Sequence, residues 1–183
     1  MQQLRIASIA IAVLFLSAAY AGAAESSDSR THFKADLIGF REVPSISTTG
    51  QGHVDIRIDD DAQTITFELS YGDLEGVAPL VTNGVVLFSH IHVGQHGVNG
   101  GVAVFFCGGG GKPACPAQPA TITGTITAAD IVGPAGQGIN PGEPTAFEEL
   151  VHAIRSGFAY ANLHTTRWPG GEIRSQLRPH EKD

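Results

Sequence analysis

Alternation of apolar and polar residues with a period of two dominates the chain. Phe33, Ala35 and Leu37 are separated by polar residues; Val54, Ile56 and Ile58 alternate with His53, Asp55 and Arg57; Ile65, Phe67, Leu69 and Tyr71 alternate with Thr64, Thr66, Glu68 and Ser70. Successive side chains on a strand point to opposite faces, so each run predicts a half-buried β-strand. The second and third runs flank Asp59-Asp60-Asp61-Ala62, which predicts a hairpin turn. Further strands are expected over 85–93, 102–106, 120–126, 158–164 and 172–177. About eight short strands separated by Gly and Pro predict an all-β fold, an antiparallel Greek-key sandwich or barrel. One short helix interrupts them. Phe147, Leu150, Val151 and Ile154 form an apolar stripe, Thr145 and Glu148 have the spacing of a capping box, and Gly157 supplies a stop. His152 falls on the solvent side of that helix.

The first 24 residues follow a different logic. Arg5 precedes an apolar stretch over 6–16, and small residues follow through Ala24, the pattern of a secretory signal peptide cleaved near Ala21 or Ala23. The apolar stretch is too short for a membrane span. The organisation expected is therefore a signal peptide over 1–24, a polar leader over 25–31, one domain over 32–178 and a polar tail over 179–183. Such a chain is exported, to the periplasm or the extracellular space, without membrane insertion. Loss of Arg5 leaves 10 Lys and Arg against 18 Asp and Glu, a net charge of −8. An acidic surface without a basic cluster argues against nucleic acid as a partner and is compatible with cation binding. Cys107 and Cys115 are the only cysteines, and export makes a disulfide their default state. The bond would close a Gly-rich loop and contribute roughly 2–3 kcal/mol.

Candidate chemistry centres on Ser89-His90-Ile91-His92-Val93-Gly94. His90 and His92 are two apart on a predicted strand, so they emerge on one face, where two imidazoles chelate a metal if further ligands arrive from elsewhere. The same pair also suits hydrogen-bonded structural histidines. His96 follows in the next loop, within reach of that region. His164 ends another predicted strand and shares a face with Asn162 and Tyr160. If the two strands are neighbours, three imidazoles converge. His32, His53 and His180 read as exposed side chains.

Several motifs in order carry a family resemblance: Leu37-Ile38-Gly39-Phe40-Arg41-Glu42-Val43-Pro44, His90-Ile91-His92-Val93-Gly94, Asn99-Gly100-Gly101-Val102, Thr123-Gly124-Thr125-Ile126-Thr127 and Pro169-Gly170-Gly171-Glu172-Ile173-Arg174. From Phe33 to Leu177 the chain resembles the CHRD domain, named for the repeats in chordin. The resemblance implies a β-sandwich binding module, here in one copy, with an extracytoplasmic protein as one class of partner. It also singles out the polar positions His90, His92, Asn99, Asn162, His164, Glu172 and Arg174. A weaker similarity links the His-x-His strand, a later histidine and a disulfide to copper/zinc superoxide dismutases. That similarity implies copper at His90, His92 and His164, His96 as a further metal position in place of the bridging histidine toward zinc, and Arg174 in a catalytic role guiding an anion. Three functions follow as expectations: a binding module whose histidines hold a transition metal, copper first and zinc second; a copper oxidoreductase of dismutase type; and a protein-interaction domain whose histidines are structural.

Overall fold

The computed structural model describes residues 30–76 and 85–180. The expected signal peptide, residues 25–29 of the leader and 181–183 of the tail lie outside the described residues. The strongest alternation forms β1 (His32–Ile38), β2 (Gln51–Asp59) and β3 (Thr64–Gly72), an antiparallel meander whose β2–β3 turn lies at the expected aspartates. Beyond it come β4 (Val86–Val93), β5 (Gly101–Cys107), β6 (Ala120–Ile126), β7 (Ala159–Thr165), β8 (Ile173–Gln176) and the two-residue β9 (Arg178–Pro179). The spatial order is β5-β4-β7-β8-β1-β2-β3-β6, all antiparallel, with β9 added against β1. Eight strands thus make an all-β sheet that nearly closes into a barrel.

Phe33, Leu37, Val54, Ile56, Ile65, Leu69, Ile91, Val104, Ile126, Leu163 and Ile173 fill one core, each fully buried. Helix α1 (Ala146–Arg155) turns Ala146, Phe147, Leu150, Val151 and Ile154 into the same core and leaves His152 exposed. Gly157 adopts the left-handed conformation expected of a helix stop, with φ +79°. The anticipated capping box at its start does not form. Thr145 Oγ1 instead donates to Glu149 one residue further on, at 3.0 Å. A capping box does form at Thr127 and Asp130, around a single 3-10 turn. Cys107 and Cys115 are joined in a disulfide that closes the Gly-rich loop. No described helix is long and apolar enough to cross a membrane.

The two halves of the barrel differ on their outer faces. On β2 and β3 the outward residues, among them Arg57, Thr66 and Glu68, face solvent, as alternation requires. On β7 all seven residues are buried, and on β8 all four. The ten buried polar residues found among the described residues are Glu42, Ser89, His90, Asn162, His164, Thr165, Glu172, Arg174, Ser175 and Gln176. All lie on β4, β7 and β8, in the turn before β8 or in the segment after β1. Burial of polar groups costs free energy unless they are partnered, so these strands are where the fold departs from a plain barrel.

Candidate metal centre

Pairing of β4 with β7 sets Phe88 opposite His164, His90 opposite Asn162 and His92 opposite Tyr160. Residues directly opposite share a face, and diagonal neighbours stay within reach of ring side chains. His164 is therefore diagonal to His90, and their ring centroids lie 4.7 Å apart; those of His90 and His92 lie 4.3 Å apart. One ligand atom from each of His90, His92 and His164 falls within 4.8 Å of the other two. It is the only such group of three His, Cys, Asp or Glu among the described residues. The pair on β4 and the adjacency to His164, left open by the residues alone, both stand.

Three loops roof this face. His92 Nδ1 donates to Gly100 O at 2.8 Å in the β4–β5 loop, and His164 Nδ1 donates to Pro169 O at 2.9 Å in the β7–β8 loop. A carbonyl oxygen only accepts, so Nδ1 carries the proton in both neutral rings and Nε2 presents a bare lone pair. Both Nε2 atoms, and His90 Nδ1, are buried with no hydrogen-bond partner. Gly100 is required where it stands: a Cβ there would lie 1.7 Å from Val93 O. Tyr160 stacks on His92 with centroids 4.6 Å apart and planes 9° from parallel, and its hydroxyl accepts from Gly100 N at 3.0 Å. Phe88 and Phe105 close around His90, with centroids at 5.5 Å and 5.1 Å.

The remaining polar positions brace the loops. Arg174 is buried, lies 3.5 Å from the Tyr160 ring centroid, and donates to Asn99 Oδ1 at 2.9 Å and to Val98 O at 2.7 Å. Its guanidinium is engaged with the loop rather than presented to solvent. Asn99 in turn donates to Val43 O at 3.2 Å, tying the β4–β5 loop to the segment after β1. Glu172 is fully buried and accepts from Thr48 Oγ1 at 2.6 Å, Glu75 N at 2.8 Å and Thr165 Oγ1 at 2.6 Å. His96 lies exposed in the β4–β5 loop and is not one of the converging three. His53 and His32 bond Asp36 and Asp55 respectively, each at 2.7 Å; His32 is half-buried rather than exposed.

Glu42 was not singled out by its sequence setting. It is buried, its Oε2 accepts from Asn162 at 3.4 Å, and its Oε1 and Asn162 Oδ1 have no partner. The sequence signal for it is its place in the first of the family motifs, between Phe40-Arg41 and Val43-Pro44. The adjacent Arg41 bonds Ser175 Oγ at 2.8 Å.

The family model for the CHRD domain matches residues 33–177, most of the chain. The chain belongs to the CHRD domain family. No curated protein and no solved structure gives a match. The CHRD match runs from the second residue of β1 through β8 and includes each of the three histidines.

Electrostatics keep the three rings of this CHRD domain neutral. Burial pushes His90 down to about 2, helped by the like charges that His92 and His164 would carry, and pushes His92 down to about 4. Burial lowers His164 as well. Burial drives Glu42 the other way, up to about 7, against the pull of the Arg174 charge. The unfolded chain protonates its histidines near 6.5, so the stability these rings carry is full above that pH and is lost as pH falls toward their folded values. Glu42 opposes this, favouring the folded state below its ordinary 4.5 and losing that contribution as pH rises to about 7. Histidine protons outnumber the one on Glu42. Between pH 6.5 and 4.5 the metal-free domain is expected to lose on the order of 1–3 kcal/mol per pH unit. Urea midpoints across that window measure it; a flat or rising profile on acidification contradicts the burial of the rings.

Proposed function

We propose that this CHRD domain is an exported metal-binding module that holds one transition-metal ion, copper first and zinc second, on His90 Nδ1, His92 Nε2 and His164 Nε2. One observation carries the proposal: each of the three rings brings a ligand atom within 4.8 Å of the other two, and each holds a buried nitrogen with no hydrogen-bond partner. An unsatisfied buried polar atom costs about 1–3 kcal/mol, and a shared ion would satisfy all three at once. The donor set suits the ion. Neutral imidazole is a preferred ligand of copper and zinc, and backbone carbonyls on the far nitrogens of His92 and His164 fix ring orientation as outer-shell partners do in metal sites. Ligands about 2.0–2.1 Å from a tetrahedral ion lie about 3.3 Å apart, so binding draws the rings together by on the order of 1 Å.

The Cys107–Cys115 disulfide supports a place outside the reducing cytoplasm. Membership of the CHRD family supports binding over catalysis. Dismutase chemistry gains no support from Arg174, whose donors are committed to Asn99 and Val98. Titration with copper or zinc should give one ion per chain and raise the thermal midpoint, by the equivalent of about 2.7 kcal/mol at one hundred times the dissociation constant. A midpoint unmoved by either ion would sink the proposal.

A further inference from the structure

We infer that the site formed by His90, His92 and His164 selects monovalent copper over divalent zinc, an inference that rests on the metal assignment above. All three donors are neutral. Among the described residues no carboxylate or thiolate joins them, and both cysteine sulfurs are tied up in the disulfide. The two buried acids among the described residues are engaged elsewhere: Glu42 accepts from Asn162, and Glu172 accepts from Thr48, Thr165 and the amide of Glu75. A fixed charge that acts on His92 has the wrong sign: Arg174 rests on Tyr160, the ring that stacks on His92.

Charge burial then decides between the ions. The cost of moving an ion out of water grows as the square of its charge, so a dication costs roughly four times as much as a monocation of equal radius. Metal sites for divalent ions commonly offset this with anionic ligands, and none is present here. The aromatic surroundings of Phe88, Phe105 and Tyr160 sharpen the difference, because rings stabilise a cation weakly compared with water or carboxylate. Coordination number points the same way. Zinc sites are almost always four-coordinate, with a protein group or water as the fourth ligand, whereas three imidazoles complete a trigonal site for monovalent copper.

The test is a pair of competition titrations of the full chain at pH 7: Cu(I) under strict anaerobiosis against bicinchoninate, and Zn(II) against a chromophoric chelator. Cu(I) is expected to bind at least about 100-fold more tightly than Zn(II). Zn(II) binding as tightly as Cu(I) or more tightly overturns the selectivity and leaves the metal assignment standing. Binding of neither ion overturns both. His164→Asp supplies the missing anionic ligand and is expected to move the Cu(I)-to-Zn(II) ratio toward zinc by at least about tenfold. An unchanged ratio in that variant overturns charge as the basis of selection.

Discussion

Alanine at His92 or at His164 is expected to weaken copper and zinc binding far beyond the effect of alanine at His152. Loss of an outer-shell partner typically costs about 10–100-fold in metal affinity, and removing a ligand outright should exceed that range. His152 is the matched control, since it is exposed on α1 and outside the cluster. The metal-free variants should fold. His92→Ala removes a ring whose Nε2 is unpartnered, leaving only Gly100 O to be satisfied by water or a small shift. Competition titration of the three variants measures the effect. Equal affinity in all three would mean that the converging nitrogens hold nothing.

Glu172→Ala should produce the largest loss of stability of any single polar substitution near the site. It strands three donors at once, the hydroxyls of Thr48 and Thr165 and the amide of Glu75, around a carboxylate that is itself fully buried. Breaking a buried network of charge-assisted bonds is expected to cost about 3–5 kcal/mol. Glu172→Gln keeps the shape and one acceptor oxygen, so its cost should be clearly smaller. Glu68→Ala, on the exposed outer face of β3, should stay within about 0.5 kcal/mol. Urea midpoints at constant slope compare the three; a Glu172→Ala variant as stable as Glu68→Ala would remove the brace from the picture.

Local patterns were legible in the sequence because local chemistry sets them. The runs at 53–58 and 64–71 alternate cleanly because one face meets core and the other water, and those strands appear where alternation places them. The strand carrying His90 and His92 was legible instead from the apolar residues that surround the pair, Val85 to Phe88, Ile91 and Val93. Strand order was not, since β4 meets β7 across more than sixty intervening residues, and nothing local to either strand encodes the pairing. Burial of the outer face of β4, β7 and β8 was equally hidden. It depends on three loops folding back over the sheet, held by Arg174 to Val98 and Asn99, by Glu172 to Thr48, and by Asn99 to Val43. The polar positions implied by the family resemblance therefore divide in a way the sequence does not display. His90, His92 and His164 converge, Asn99, Glu172 and Arg174 act as braces, and Asn162 stands between the two groups beside Glu42.

Thr145 illustrates a smaller failure of the same kind. The spacing to Glu148 fits a capping box, but a box needs an extended backbone at the cap, and Thr145 has ψ −8°, already helical. Its hydroxyl reaches Glu149 instead. Thr127, with ψ 174°, has the extended geometry and forms the box with Asp130.

The assignment of three particular nitrogens to one ion is open to direct observation by ¹⁵N nuclear magnetic resonance of the histidine rings during titration with a diamagnetic ion, Cu(I) or Zn(II). The result expected is a large shift of His90 Nδ1, His92 Nε2 and His164 Nε2, complete at one equivalent, with the rings of His32, His53, His96 and His152 unmoved. Shifts confined to those other rings, or none at one equivalent, would contradict the site.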